Sequence, residues 1–194
     1  LPTIAEIRFY LKGLWLLFKG SATAYHYLDF TERGFRRSFW AFVICLPFMV
    51  LSSLLSLTDS AGNGVAFTGL LVFRTILIQA VSWIVPLVAI ALVCHFSGQA
   101  KAFFRIVIAS NWLSVPVNVV AAVLIIAIAL LGPAFLVPLI ILLQVVIFGA
   151  FLFEIRLFYV LLDDRPLPTA ATILASVVTT LVISDLGTRY MLGG

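Results

Sequence analysis

Residues 106–153 read "IVIASNWLSVPVNVVAAVLIIAIALLGPAFLVPLIILLQVVIFGAFLF", 48 residues without one formal charge. As a single α-helix this stretch would be roughly 72 Å long, more than twice a hydrocarbon core of roughly 30 Å. It must fold back on itself, and "LLGPAF" at 130–135 supplies the Gly-Pro turn. Two adjacent spans follow, about 106–131 and 134–161.

The rest of the chain is built of the same material. Of its 194 residues 63% are hydrophobic and 10% charged, with a mean hydropathy of +1.22. A soluble domain is about a quarter charged and about half apolar. A water-facing surface cannot be made from this composition, so the bilayer is part of the solvent. Ser38 to Thr58 carries no charge and is long enough for one span. "TDSAGNG" at 58–64 reads as a turn, and a second span covers about 65–95. "HFSGQAKAFFR" reads as a short loop before the third span. "DDRPLP" at 163–168 is the loop before a fifth, about 169–191. The expected fold is an all-α polytopic membrane helical bundle of five transmembrane helices (38–194), preceded by a cytoplasmic segment (1–37).

That leading segment contains an amphipathic helix, expected to lie in the membrane interface. Thr3 and Glu6 form a capping box at its start, and Gly20 ends it. Ile4, Ile7, Leu11, Leu14, Trp15 and Phe18 recur on one face, with the basic residues Arg8, Lys12 and Lys19 beside them. An apolar stripe with Trp next to a basic stripe suits anionic lipid headgroups. Packing on protein is the alternative reading. Ala22-Thr23-Ala24 has the look of a cleavage site, but Gly13–Phe18 is too short for a signal h-region, so the segment reads as mature structure. Asp29 and Glu32 are candidate caps for a further helix.

Basic residues set the orientation. Six Lys or Arg precede the first span, two lie between the second and third, and one between the fourth and fifth. The loops at 58–64 and 131–134 carry none, and Arg189, at the far end of the fifth span, is the one base on the opposite side. The expectation is an N-terminus in the cytoplasm and a C-terminus outside, in a prokaryotic-type inner membrane.

With that topology, charges inside the spans can be placed by depth. Arg74 of the second span and Asp185 of the fifth lie at similar depth and opposite sign, so they are a candidate intramembrane ion pair. The competing reading pairs Asp185 with Arg189, one turn along. His95, Arg105, Asn111, Glu154 and Arg156 gather toward the cytoplasmic side as a candidate polar cluster, with Arg105 or His95 as the expected partner of Glu154. Such a group suits structural bonding or proton relay. Asn118 and Gln144 are expected to bond across the central hairpin, and Pro47, Pro86, Pro116 and Pro138 to kink four spans.

No catalytic motif is present: neither G-x-S-x-G, nor H-E-x-x-H, nor a P-loop. Cys45, Cys94 and His95 are too few for a metal site, and His26 and His95 stand on separate segments, so no metal and no cofactor are expected. The basic residues cluster by the spans and form no aromatic-interleaved stripe, which argues against nucleic acid. "SGQAKAFFRIVIASNWLSVP", with Gly98, Phe103 and Pro116, resembles the Yip (Ypt-interacting protein) family, as does the order of a cytoplasmic amphipathic region followed by five spans. The resemblance implies a five-helix bundle and a non-enzymatic role in organising membranes or complexes. The resulting expectation is an accessory or scaffold subunit with a membrane-protein partner or a second copy of itself. A small transporter or channel component is the alternative.

Overall fold

The computed structural model describes residues 2–60 and 68–193. Among these residues, seven α-helices run in the order α1 (Ile4–Phe18), α2 (Glu32–Ser38), α3 (Trp40–Ser60), α4 (Gly69–Phe96), α5 (Ala100–Leu130), α6 (Pro133–Leu161) and α7 (Pro166–Gly193). A short 3-10 helix, Ala22–His26, lies between α1 and α2. No strand occurs among the described residues. The five long apolar stretches are helices long enough to cross a membrane. Positions 61–64 of the expected turn lie outside the described residues.

The hairpin forms as expected, with its turn at Leu131-Gly132 and Pro133 opening α6. Gly132 sits at φ +76°, a conformation that costs glycine little. The loop before α5 is shorter than expected. Gly98, at φ +72°, and Gln99 N–H, which bonds the Cys94 carbonyl at 2.8 Å, close α4. Helix resumes at Ala100, so Lys101 and Arg105 lie on the first turns of α5 and not in a loop. Their charge looked like loop chemistry but is compatible with a helix end at the membrane surface. The connector before α7 is likewise only Leu162–Arg165, with Asp163 and Asp164 both left-handed (φ 56° and 57°). Aspartate tolerates this region better than most residues. Pro47, Pro86, Pro116 and Pro138 all lie inside continuous helices.

The polar connector is more ordered than its composition suggests. The oxygen capping α2 is that of Thr31, which accepts from Gly34 N–H at 3.3 Å. Asp29 acts one step back, accepting from the Thr31 hydroxyl at 2.6 Å and its N–H at 3.2 Å. A Cβ at Gly34 would run into the Asp29 carbonyl, so this joint requires glycine.

Helix α5 is the axis. It packs against α1, α2, α3, α4 and α6, while α7 lies along α4 and touches α6. The tight core sits at one end of the bundle, where α1 docks. It is made by Ala41 and Cys45 of α3, Ile90 and Cys94 of α4, Ile106 to Trp112 of α5, and Leu157 to Leu162 of α6.

The expected capping box on α1 is present: Glu6 N–H donates to Thr3 Oγ1 at 3.3 Å and Thr3 N–H to Glu6 Oε2 at 2.9 Å. The apolar stripe, however, is not simply a lipid-facing surface. Leu14 is 2% and Leu17 1% exposed, packed into the bundle. Tyr10 stacks on Trp112 of α5 with ring centroids 4.5 Å apart, and Phe18 on Phe153 of α6 at 4.4 Å. A Cβ on Gly13 would fall 2.7 Å from the Tyr27 Cβ, so α1 approaches the 3-10 segment closely. Ile4, Phe9 and Trp15 remain exposed. Burying each leucine contributes about 1.5–3 kcal/mol where the alternative is water.

Candidate functional site

The candidate polar cluster does not assemble as one unit. Asn111, 2% exposed, is the hub of a different arrangement. Its Oδ1 accepts from the Trp83 indole N–H of α4 at 3.0 Å, and its Nδ2 donates to the Ser38 hydroxyl at 2.9 Å. Ser38 in turn donates to the Phe35 carbonyl at 2.8 Å. One amide thereby joins α2, α4 and α5 inside the core. Neither Ser38 nor Trp83 was signalled by the sequence as its partner.

Glu154 takes neither Arg105 nor His95. Its Oε1 accepts from the Ser110 hydroxyl of α5 at 3.4 Å. The carboxylate also lines a cavity of about 200 Å³ between α6 and α7, with Ser176 and Thr180 across from it and Phe151, Ile155 and Leu181 among its apolar walls. His95 is exposed and its ring meets that of Phe96 edge-on at 5.4 Å. Arg105 makes no ion pair among the described residues. The separation is largely one of depth: Glu154 stands opposite Ser110, about 15 Å along α5 from its start at Ala100, whereas His95 lies in the last turn of α4.

Arg156 serves the N-terminal helix. Its Nε donates to the Phe18 carbonyl at 3.4 Å, and the guanidinium lies 5.8 Å from the centre of the Tyr159 ring. A cation at the C-terminal end of α1 meets unsatisfied carbonyls and the negative end of the helix dipole, and α1 has no basic residue in its own last turn. A second tie holds the start of α1. The Arg37 guanidinium contacts Glu6 at 2.6 Å, both side chains about one third exposed. The Thr3 backbone N–H, and after it the charge of Arg37, hold the Glu6 carboxyl below the usual carboxylate range, against a partial opposing effect of desolvation. Of the three expected lipid-facing bases, Arg8 is exposed, Lys12 lies 4.9 Å from the Tyr27 ring centre and Lys19 5.0 Å from that of Trp15.

The Arg74–Asp185 pair is not made. Asp185 Oδ2 bonds Arg189 Nε at 3.0 Å, one turn away on α7. The local partner needs no inter-helix registry, which explains its choice. The Arg74 guanidinium instead lies over the Tyr190 ring, 5.2 Å from its centre, with Nε buried and without a hydrogen bond. The expected Asn118–Gln144 bond is also absent. Asn118 donates back to the Ser114 carbonyl on its own helix at 2.9 Å, and Gln144 is exposed. A cross-link that the sequence did not signal joins α3 to α4, Gln79 Nε2 donating to Ser53 Oγ at 2.7 Å.

Comparison of the chain with protein-family models, with characterised proteins and with solved structures finds no match. The five apolar helices of spanning length among the described residues are those of a multi-pass membrane protein.

Proposed function

We propose that the protein is a non-catalytic accessory or scaffold subunit of a larger membrane complex, docking on another membrane protein through α6. The observation that carries this reading is Gln144. Its amide stands exposed on α6 among the exposed Ile140, Ile141, Val145 and Phe148. An amide facing hydrocarbon without a partner costs free energy, and a neighbouring helix removes that cost by offering a hydrogen bond. Helix α6 packs along α5, yet none of its described side chains before Leu157 is fully buried. The resemblance to the Yip family, and the implied non-enzymatic organising role, point the same way. In this reading the N-terminus is cytoplasmic and the C-terminus outside, in a prokaryotic-type inner membrane, and the Arg8, Lys12 and Lys19 side meets anionic lipid.

A photoreactive phenylalanine derivative in place of Ile141, irradiated in native membranes, tests the docking face. The expected result is one discrete adduct with another membrane protein, weakened by Gln144→Leu. An adduct containing only a second copy of the chain turns the reading into a homo-oligomer, and labelling of lipid alone removes it. The second reading, a small transporter component, rests on Glu154 at the cavity between α6 and α7. A solute flux in proteoliposomes abolished by Glu154→Gln would favour it.

A further inference from the structure

We infer that the groove between α4 and α7 holds one phospholipid, its phosphate on Arg74 and an acyl chain along the helices. Three independent features converge there. The Arg74 guanidinium has a buried Nε with no hydrogen bond, and Asp185, its expected partner, is paired with Arg189 at 3.0 Å instead. Beside it opens a groove of about 270 Å³ lined by Leu77, Ile78 and Val81 of α4 and Ile183, Leu186 and Gly187 of α7, with Tyr190 at one end. Tyr190 is the same ring over which Arg74 lies, so the guanidinium stands at that end of the groove.

The direction of the groove decides the occupant. Arg74 is about 8 Å along α4 from its first residue, Gly69, at a rise of 1.5 Å per residue. Val81 lies about 10 Å deeper along α4, and Ile183 about 10 Å deeper than Tyr190 along α7. Cation first and apolar wall deeper is the order in which a lipid of the adjoining leaflet presents phosphate and chain. A free anion would use the guanidinium but leave the apolar groove without a role. An acidic side chain from a partner would do the same. Guanidinium suits phosphate because its planar donors meet two oxygens at once. Close packing keeps the groove shallow: a Cβ at Gly187 would come 2.9 Å from Ile78 Cγ2, so the helices touch at its floor.

The test is native mass spectrometry of the full chain, delipidated in mild detergent and titrated separately with dioleoylphosphatidylglycerol, dioleoylglycerol and inorganic phosphate. The expected result is one tightly held phosphatidylglycerol per chain. Arg74→Gln should weaken it about tenfold, the loss of one charge-assisted contact. Val81→Trp, which fills the groove and leaves the guanidinium in place, should weaken it comparably. Dioleoylglycerol, with the same chains and no phosphate, should bind the wild type no better than it binds Arg74→Gln, and millimolar phosphate should not displace the phospholipid. Should Arg74→Gln fail to fold, Val81→Trp alone decides. Retention of the lipid by Val81→Trp at wild-type strength overturns the proposal, as does displacement by inorganic phosphate. So does binding of dioleoylglycerol to the wild type as tightly as phosphatidylglycerol, or a chain extracted from native membranes with an acidic protein segment cross-linked at position 74 in place of lipid.

Discussion

Asn111 uses both ends of its amide inside the protein, on Trp83 and on Ser38. Leucine at this position would fill much of the space but leave the half-buried Trp83 indole N–H without this acceptor. A lost bond that strands its partner costs about 1–3 kcal/mol, more than the roughly 0.6 kcal/mol average for bonds between membrane helices. Asn111→Leu is therefore expected to lower the thermal midpoint in nanodiscs by the equivalent of about 1–3 kcal/mol. Trp83→Phe should cost less alone, and little more when added to Asn111→Leu, because the two share one contact. Full additivity in that cycle would show that the hydrogen bond contributes nothing. Asn111 was legible as a polar residue at depth. Its partners were not, because neither Trp83 nor Ser38 carries a charge that depth could match.

At the scale of the element, α1 is the helix whose environment changed most between sequence and structure. Its capping box could be read from Thr3 and Glu6 alone, since both lie within one turn. Its docking could not, since an apolar stripe fits lipid and protein equally well. The Glu6–Arg37 contact gives docking a pH dependence whose sign follows from the Glu6 shift. The carboxyl is held below its ordinary range in the folded protein, so the stabilisation is present above the unfolded value of about 4.3 and is lost as pH falls through the lower folded value. Both partners are partly solvated, and the effect is correspondingly small. Glu6→Gln is expected to lower the thermal midpoint slightly at pH 7, with the difference from wild type closing as the pH is taken below the carboxylate range. A gap that persists at low pH would assign the effect to the capping amide and not to charge.

Across the described residues the dense core occupies the α1 end, while toward the opposite end α4 meets α7 at Ile78–Gly187 and the hairpin turns at Gly132. This asymmetry places rigid packing beside the basic segment and leaves the other end open to lipid or to a partner. Orientation is testable with few interfering thiols, because Cys45 and Cys94 are both buried. A cysteine at Asn63 is expected to react with an impermeant thiol reagent on intact cells, and one at Arg165 only after lysis. The reverse pattern would invert the proposed topology and move the inferred phospholipid to the inner leaflet.

The sequence by itself determined the class of fold. Apolar length, the Gly-Pro turn and the absence of charge leave the backbone no way to satisfy its hydrogen bonds in a bilayer except as helices, and helix number follows from length. Only the tertiary structure decided which side chains meet. Between the spans nearly every face is apolar, and lipid tails are as apolar as leucine, so periodicity does not separate a packed face from a lipid-facing one. Depth counted along the chain put Arg74 and Asp185 near the same level, but the register of α4 on α7 sets Arg74 beside Tyr190, and Asp185 lies about 8 Å further along α7. The register of each helix against its neighbours, which cannot be counted from one span alone, sent Asp185 to Arg189, Arg74 to Tyr190 and Glu154 to Ser110.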